Sequence, residues 1–485
     1  MMTISRRSLL KGAIVTALST TTIGRAIGAI YFNVIVGRPT ATSATISLMA
    51  DAKLFVYLEY GYSKTTIAGK TALIELASNI PQEVELQNLK SNAKIFYRIR
   101  YRATSSGTFA TGKQYSFQTQ RNKGGAFTFT VQGDTHPERA GKMFNAELYS
   151  VAMANVLAQN PDFHILLGDD FSIDPLISKG AATLENVEKI YRTHRQWLAL
   201  SGTPIFLVNG NHEQAAQYLL DGTESNPAIN AGKSRIKYFP LPTPNGFYTG
   251  DQAEIEFLGN PRDYFAWHWG DALFITLDPY WHSKYAVDNV AGVSNEQDQQ
   301  NKKNGAGASK NKDLWQVGIG DEQYLWLKKT LETSTAKYIF VFAHHVMGTG
   351  RGAVEVSYNY EWGGKDPQGV TTFAQQRPTW ELPIHDLLVK HKVSIFFQGH
   401  DHIFVTQERD GLIYQSMPNP ADDTFSLFND TAYKSGINAP NSGHVRVSVT
   451  PTAAKVDYFL AARKVDTKRK NLSIAHSYSV KPRVI

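Results

Sequence analysis

The chain has 485 residues, 42% of them hydrophobic and 19% charged, with a formal charge of +7. That length and balance supply enough apolar material for two or three domains and exclude a wholly disordered chain. The sequence contains no cysteine, which excludes disulfide frameworks and thiolate ligands, so any metal must be held by His, Asp, Glu and Asn.

Taken in order, the chain opens on Ser5-Arg6-Arg7-Ser8-Leu9-Leu10-Lys11 and a Thr- and Ala-rich run over residues 12–23. The run is too short and too polar to span a bilayer, and no transmembrane segment is expected in the mature chain. It resembles a twin-arginine export signal, with Arg6 and Arg7 as the pair. The resemblance implies a signal over residues 1–28, cleavage near Ala26-Ile27-Gly28, the twin-arginine translocation machinery as a partner, and a periplasmic or secreted product. Loss of Arg6, Arg7, Lys11 and Arg25 lowers the formal charge from +7 to +3, too mild a balance to call for a specific nucleic acid partner.

Residues 30–119 alternate apolar with polar side chains in short runs, at 33–37, 43–48, 54–60, 73–76, 83–86, 95–101 and 115–119, separated by Gly, Ser, Asn and Pro turns. Such a pattern predicts an antiparallel sandwich of about seven strands, similar to fibronectin type III or immunoglobulin-like domains. It holds no cluster of His or carboxylates, so no chemistry is assigned to it.

From residue 126 strands alternate with helical patterns, which predicts an α/β (α+β) domain. Strands are expected at 127–131, 163–167, 204–208, 338–342 and 393–398, with two more within 264–278. Helices are expected at 144–159, 187–200, 321–332 and 379–390. The functional signal lies just past the ends of five strands: Gly133-Asp134-Thr135-His136, Gly168-Asp169-Asp170, Asn209-Gly210-Asn211-His212-Glu213, Ala343-His344-His345, and Gly399-His400-Asp401-His402. Sites in open α/β sheets form beyond the carboxyl ends of strands. One Gly-Asp or Gly-His after a strand is commonly a turn, but five in this order are not explained by turns alone.

Those motifs resemble the calcineurin-like metallophosphoesterase superfamily over residues 126–465, leaving 466–485 as a tail. The resemblance implies a two-sheet αββα sandwich preceded by the all-β domain, and a binuclear centre. Asp134, His136 and His402 would hold one ion, Asn211, His344 and His400 the other, and Asp169 would bridge them. The implied cofactors are two divalent or trivalent transition-metal ions, Fe, Mn or Zn. The implied reaction is phosphate ester hydrolysis by a metal-bridging hydroxide, with His212 as general acid. Glu213 and Asp401 are expected to orient imidazoles, and Asp170 is either a helix-start residue or an outer partner of the centre. Purple acid phosphatases, which the leading β-domain resembles, carry a tyrosine where Ser172 stands, so no tyrosinate charge transfer to Fe(III) is expected.

His345 is expected at the rim of the site, and His164, His194, His268, His385, His391, His444 and His476 are expected to be structural or solvated. Long insertions over 213–262, 280–313 and 345–378 are expected to set the substrate, the polar tract 295–313 to be mobile, and Arg351 and Arg377 to contact phosphate. The sequence thus points to an exported phosphatase acting on small phosphate monoesters. A phosphodiesterase cleaving nucleotide or glycerol- and lipid-headgroup diesters is an alternative on the same site. A cell-envelope binding protein with a vestigial hydrolase domain is the alternative from another class.

Overall fold

Short alternating runs near the N-terminus form β1 (Phe32–Gly37), β2 (Ala44–Ala50), β3 (Leu54–Gly61), β4 (Gly69–Lys70), β5 (Ile74–Leu76), β6 (Gln82–Leu86), β7 (Lys94–Arg102) and β8 (Ala110–Gln118). They pair as a β1-β2-β6 sheet and a β4-β3-β7-β8 sheet with β5 on β3, the antiparallel sandwich the alternation predicts. The computed structural model describes residues 30–200, 202–287, 313–345, 347–348, 350–366 and 368–484. The leader and nearly all of the polar tract 295–313 lie outside them. Among the described residues no helix is long and apolar enough to cross a membrane.

One departure from simple alternation sits in the sandwich. Every residue of β2 is buried, including Thr45 and Ser47, whose polarity predicts an exposed face. Thr45 Oγ1 accepts from Arg38 Nε at 3.2 Å, and for Ser47 the reason is a long-range contact. The fully buried Arg195 guanidinium donates to Asn33 Oδ1 at 2.7 Å, to the Ser47 carbonyl at 2.8 Å and to the Tyr238 carbonyl. A parallel bridge between Val36 and Pro204 ties the same sheet to the next part of the chain, and Phe32 to the C-terminus is one compact unit.

The second part alternates strand and helix: β9 (Phe127–Gln132), α1 (Ala146–Ala158), β10 (Phe163–Leu166), α2 (Asp174–Ile177), α3 (Leu184–Leu198), β11 (Ile205–Leu207) and α4 (Pro227–Tyr238). It continues with β12 (Thr249–Gly250), β13 (Phe265–Trp269), β14 (Ala272–Thr276), α5 (Gly320–Glu332), β15 (Tyr338–Ala343), α6 (Ile384–Lys390) and β16 (Ile395–Gln398). The last strands are β17 (Phe404–Arg409), β18 (Leu412–Ser416), β19 (Ile437–Ala439), β20 (Gly443–Val449), β21 (Ala454–Leu460) and β22 (Ile474–Val480). Two sheets result, ordered β11-β10-β9-β20-β21-β22 and β12-β13-β14-β15-β16-β18-β17-β19. Their inner faces meet in an aromatic core that includes Phe129, Phe163, Trp267, Phe274, Phe340 and Phe397. Residues of α3 and α4 pack in a second cluster with β10 and β11, and residues of α5 and α6 in a third with β14 and β15, which makes the αββα layering.

Three elements differ from expectation. The insertion after residue 213 contains α4, where Asn226 caps the Ala228 amide at 2.8 Å and Pro227 takes the first turn, a legible start signal inside a loop-like composition. The helix expected from 379 begins only at Ile384, because Pro383 disfavours helical backbone at the residue before it. The tail 466–485 contributes β22, paired antiparallel with β21.

Candidate metal centre

The parallel strands β9, β10 and β11 of one sheet and β15 and β16 of the other each release the chain at their carboxyl ends into one of the five motifs. The turns are tight. Asp134, His136, Asp169, His400 and His402 have φ of 62°, 49°, 54°, 67° and 54°, left-handed backbone that costs a non-glycine residue of order 1 kcal/mol or more and clusters at functional sites. Gly210 admits the approach of two of these turns: a Cβ there would lie 2.3 Å from the Asp169 amide and 2.4 Å from its Oδ1.

Two groups of ligand atoms result. Asp134, His136, Asp169 and His402 offer atoms within 4.8 Å of one another, and so do Asp169, His344 and His400. Asp169 is common to both, its Oδ2 lying 3.5 Å from His136 Nε2 and 3.2 Å from His344 Nε2. Asn211 Oδ1 stands 3.1 Å from His344 Nε2 and 3.0 Å from His400 Nδ1. All seven residues expected as ligands therefore converge.

The donor set fits two cations. Asp134 Oδ2 and Asp169 Oδ2 are buried with no hydrogen-bond partner, and the Nε2 atoms of His136 and His402 face one another at 3.1 Å. Such a constellation is costly unless a cation sits among the atoms. His344 presents Nε2 because its Nδ1 bonds the Leu167 carbonyl at 2.6 Å, a fixed tautomer typical of a ligand. Burial lowers the His344 pKa, but Asp169 outweighs it and lifts the group to about 10; the pocket calls for positive charge at that nitrogen. Burial pushes His136, His400 and His402 well below the usual range, leaving neutral imidazoles free to ligate. Nitrogen and carboxylate donors without thiolate suit Fe, Mn or Zn.

The neighbours divide differently from the sequence expectation. Glu213, expected to orient an imidazole, instead accepts the amides of Asp169 at 3.0 Å and Asp170 at 2.9 Å, holding the left-handed turn of Asp169. Asp401, expected in the same role, accepts from Arg351 at 2.8 Å, the Gly352 amide at 3.0 Å and the Tyr433 hydroxyl at 2.7 Å, and so fixes the loop. His345, expected at the rim, is 2% exposed, its ring centroid 4.2 Å from that of His400. Asp170 starts no helix; its Oδ1 accepts from Thr135 Oγ1 at 3.1 Å. Ser172 accepts the Asp174 amide at 3.2 Å, a turn role where a tyrosine ligand would otherwise stand. Arg351 also donates to the His400 carbonyl at 3.1 Å, while Arg377 pairs with Glu361 at 3.1 Å and lies over the Trp380 ring.

His212 stands beside both groups, its Nε2 3.9 Å from Asp169 Oδ2 and its Nδ1 hydrogen-bonded to Asp174 Oδ2. Burial lowers its pKa, yet Asp169 and Asp174 together raise it to about 9. Three residues here were missed in the sequence. Glu138 accepts from His136 Nδ1 at 2.8 Å, Asp174 holds His212, and Arg139 places Nη2 3.1 Å from His212 Nε2. Glu138 and Arg139 follow the Asp134–His136 motif after Pro137 alone, and that nearness is the signal that could have found them.

Comparison with known proteins agrees with the geometry. Residues 127–404 match the model of the calcineurin-like phosphoesterase family. The fold is shared with PhoD, at 16% identity and a TM-score of 0.59, over 93% of this chain and 88% of PhoD. It is shared too with purple acid phosphatase PPD1 from seeds of yellow lupin (Lupinus luteus), at 14% identity and a TM-score of 0.57, over 93% of this chain and 74% of that one. No curated protein matches the sequence. With more than half of its length matched to the family model, the chain belongs to the calcineurin-like phosphoesterase family and is a metal-dependent phosphoric ester hydrolase.

Proposed function

We propose that this protein is an exported phosphatase that hydrolyses small phosphate monoesters at a binuclear centre. The carrying observation is the sharing of Asp169 Oδ2 between the two histidine groups, at 3.5 and 3.2 Å, with His212 at 3.9 Å from the same oxygen. Asp134, His136 and His402 would hold one ion and Asn211, His344 and His400 the other, with Asp169 available to both groups. When bound, two cations supply neutralisation of the phosphoryl oxygens and a more acidic water.

The chain's own residues do the rest. Water oxygen bonds to phosphorus as the ester P–O bond breaks, and the departing alkoxide takes the proton from His212 Nε2; of the two water protons one stays on the phosphate and the other is given up, which returns the imidazole to its charged form for the next turnover. Asp174, on Nδ1, keeps the ring turned with Nε2 toward the reacting group and compensates its charge. The products are orthophosphate and an alcohol. Export rests on Arg6-Arg7 and the residues after them.

The test is hydrolysis of p-nitrophenyl phosphate and of bis-p-nitrophenyl phosphate by protein loaded with Mn, Zn or Fe, and again after chelation. Monoester turnover abolished by chelator, and found outside the cytoplasm in cell fractions unless Arg6 and Arg7 are changed to Lys, is the expected outcome. Preference for the diester would replace the monoester reading with phosphodiesterase activity.

A further inference from the structure

Arg139 has a setting the ligand set does not explain. It closes the short turn Pro137–Arg139 that comes after His136, and the turn is firmly built: the Arg139 amide donates to the His136 carbonyl at 2.9 Å, and the Arg139 carbonyl accepts from Lys142 at 3.0 Å and Met143 at 3.2 Å. The side chain, 28% exposed, reaches over this turn toward the centre. Its contacts there are poor ones for a cation: Nη2 meets the imidazole nitrogen His212 Nε2 at 3.1 Å, Nη1 the thioether of Met143 at 3.2 Å, and Nε lies 3.6 Å from Glu138 Oε1. Glu138 is itself committed to His136. The fork therefore points its nitrogens at an imidazole and a sulfur, and not at a carboxylate in bidentate geometry.

Charge makes the placement more pointed. Among the expected ligands only Asp134 and Asp169 are carboxylates, so the ligands alone would leave two positive charges of two divalent ions unbalanced, and Arg139 stands beside that centre with its nearest carboxylate, Glu138, already bonded to His136. Its Nη2 is no farther from Asp169 Oδ2 than the sum of the two steps through His212 Nε2. A guanidinium at the mouth of a cationic centre is unfavourable alone and favourable once a dianion lies between them.

We propose that Arg139 is the substrate-phosphoryl receptor of this centre: its guanidinium holds non-bridging oxygens of a phosphate monoester dianion, leaving His212 Nε2 to face the ester oxygen. Arg139 is thus a catalytic residue, and it favours the doubly charged monoester over the singly charged diester. This rests on the proposed phosphatase reading for its substrate class, but its binding test does not.

The test uses full-length, metal-loaded protein and inorganic phosphate titrated by calorimetry. Arg139→Gln is expected to weaken phosphate binding by about tenfold to a hundredfold, the loss of charged hydrogen bonds, with metal content by elemental analysis unchanged. Arg139→Lys restores part of the affinity. In turnover, kcat/KM for p-nitrophenyl phosphate falls more than that for bis-p-nitrophenyl phosphate. Unchanged phosphate affinity in Arg139→Gln at full metal content overturns the proposal. So does metal loss in both variants, which would make Arg139 a support for Glu138 and His136. A wild-type protein that binds phosphate through Arg139 yet hydrolyses neither ester would refute the phosphatase reading alone.

Discussion

The Nδ1 side of the His212 ring is held by a single carboxylate oxygen, and that contact separates positioning from chemistry. Asp174 bonds Nδ1 through Oδ2 and accepts from Gln214 at 2.7 Å through Oδ1, so the ring is fixed from a residue that touches neither ligands nor substrate. Asp174→Asn is expected to lower kcat by about tenfold to a hundredfold, part of what general acid catalysis contributes, with KM little changed. The loss grows from p-nitrophenyl phosphate to an alkyl phosphate, whose leaving group needs the proton more. An equal loss on both substrates would show that Asp174 acts on folding and not through His212. The ligands themselves were legible because each stands within a few residues of an apolar strand. Asp174 was not, and for Glu138 and Arg139 adjacency to the motif marked nearness but not direction, since a side chain's aim across a turn depends on backbone angles that residue type does not encode.

At the level of elements, the same distinction separates what periodicity reveals from what it conceals. Strands β9, β10, β11, β13, β14, β15 and β16 and helices α1, α3 and α5 follow from spacing alone, whereas the edge strands β12, β19 and β22 do not. The burial of Ser47 does not either, because it is caused by Arg195 on α3, far along the chain. Arg195→Met keeps much of the volume but strands the acceptors on Asn33, Ser47 and Tyr238 in a dry interface. Each orphaned acceptor costs about 1–3 kcal/mol, so a loss of ~3 kcal/mol and a clear drop in melting temperature are expected; a melting curve matching wild type would mean that water takes over the bonds. The shortened α6 shows the opposite case, in which a local rule, the proline at 383, overrides a plausible apolar spacing.

The molecule as a whole carries a second buried acidic group, Asp251, Asp263 and Asp278, and it sets a pH response. Asp263 bonds His282 at 2.8 Å, and Asp251 and Asp278 are raised to about 7, chiefly by burial and then by the nearby Asp263. These two carboxyls hold protons in the fold that the unfolded chain has released above about pH 4. The native state binds more protons, so stability falls as pH rises from about 4 through 7. His282 is lowered by burial but raised more by Asp263, which extends the fall above its ordinary range. Melting temperature of the metal-loaded protein should therefore decline between pH 5 and 8, and Asp251→Asn should flatten that decline; identical slopes would remove Asp251 from this role.

The pairing of β9 also has a meaning in time. β9 delivers Asp134 and His136, and lies between β10 and β20, with Val131 opposite Val445. A ribosome makes β9 early and β20 near the end, so throughout most of synthesis one edge of the strand that founds the centre has no neighbour. An open apolar edge invites association with other chains. The metal-binding pocket is consequently among the last parts of the molecule to close, and a chain halted before Gly443 carries all seven of the expected ligands without the strand that seals them in.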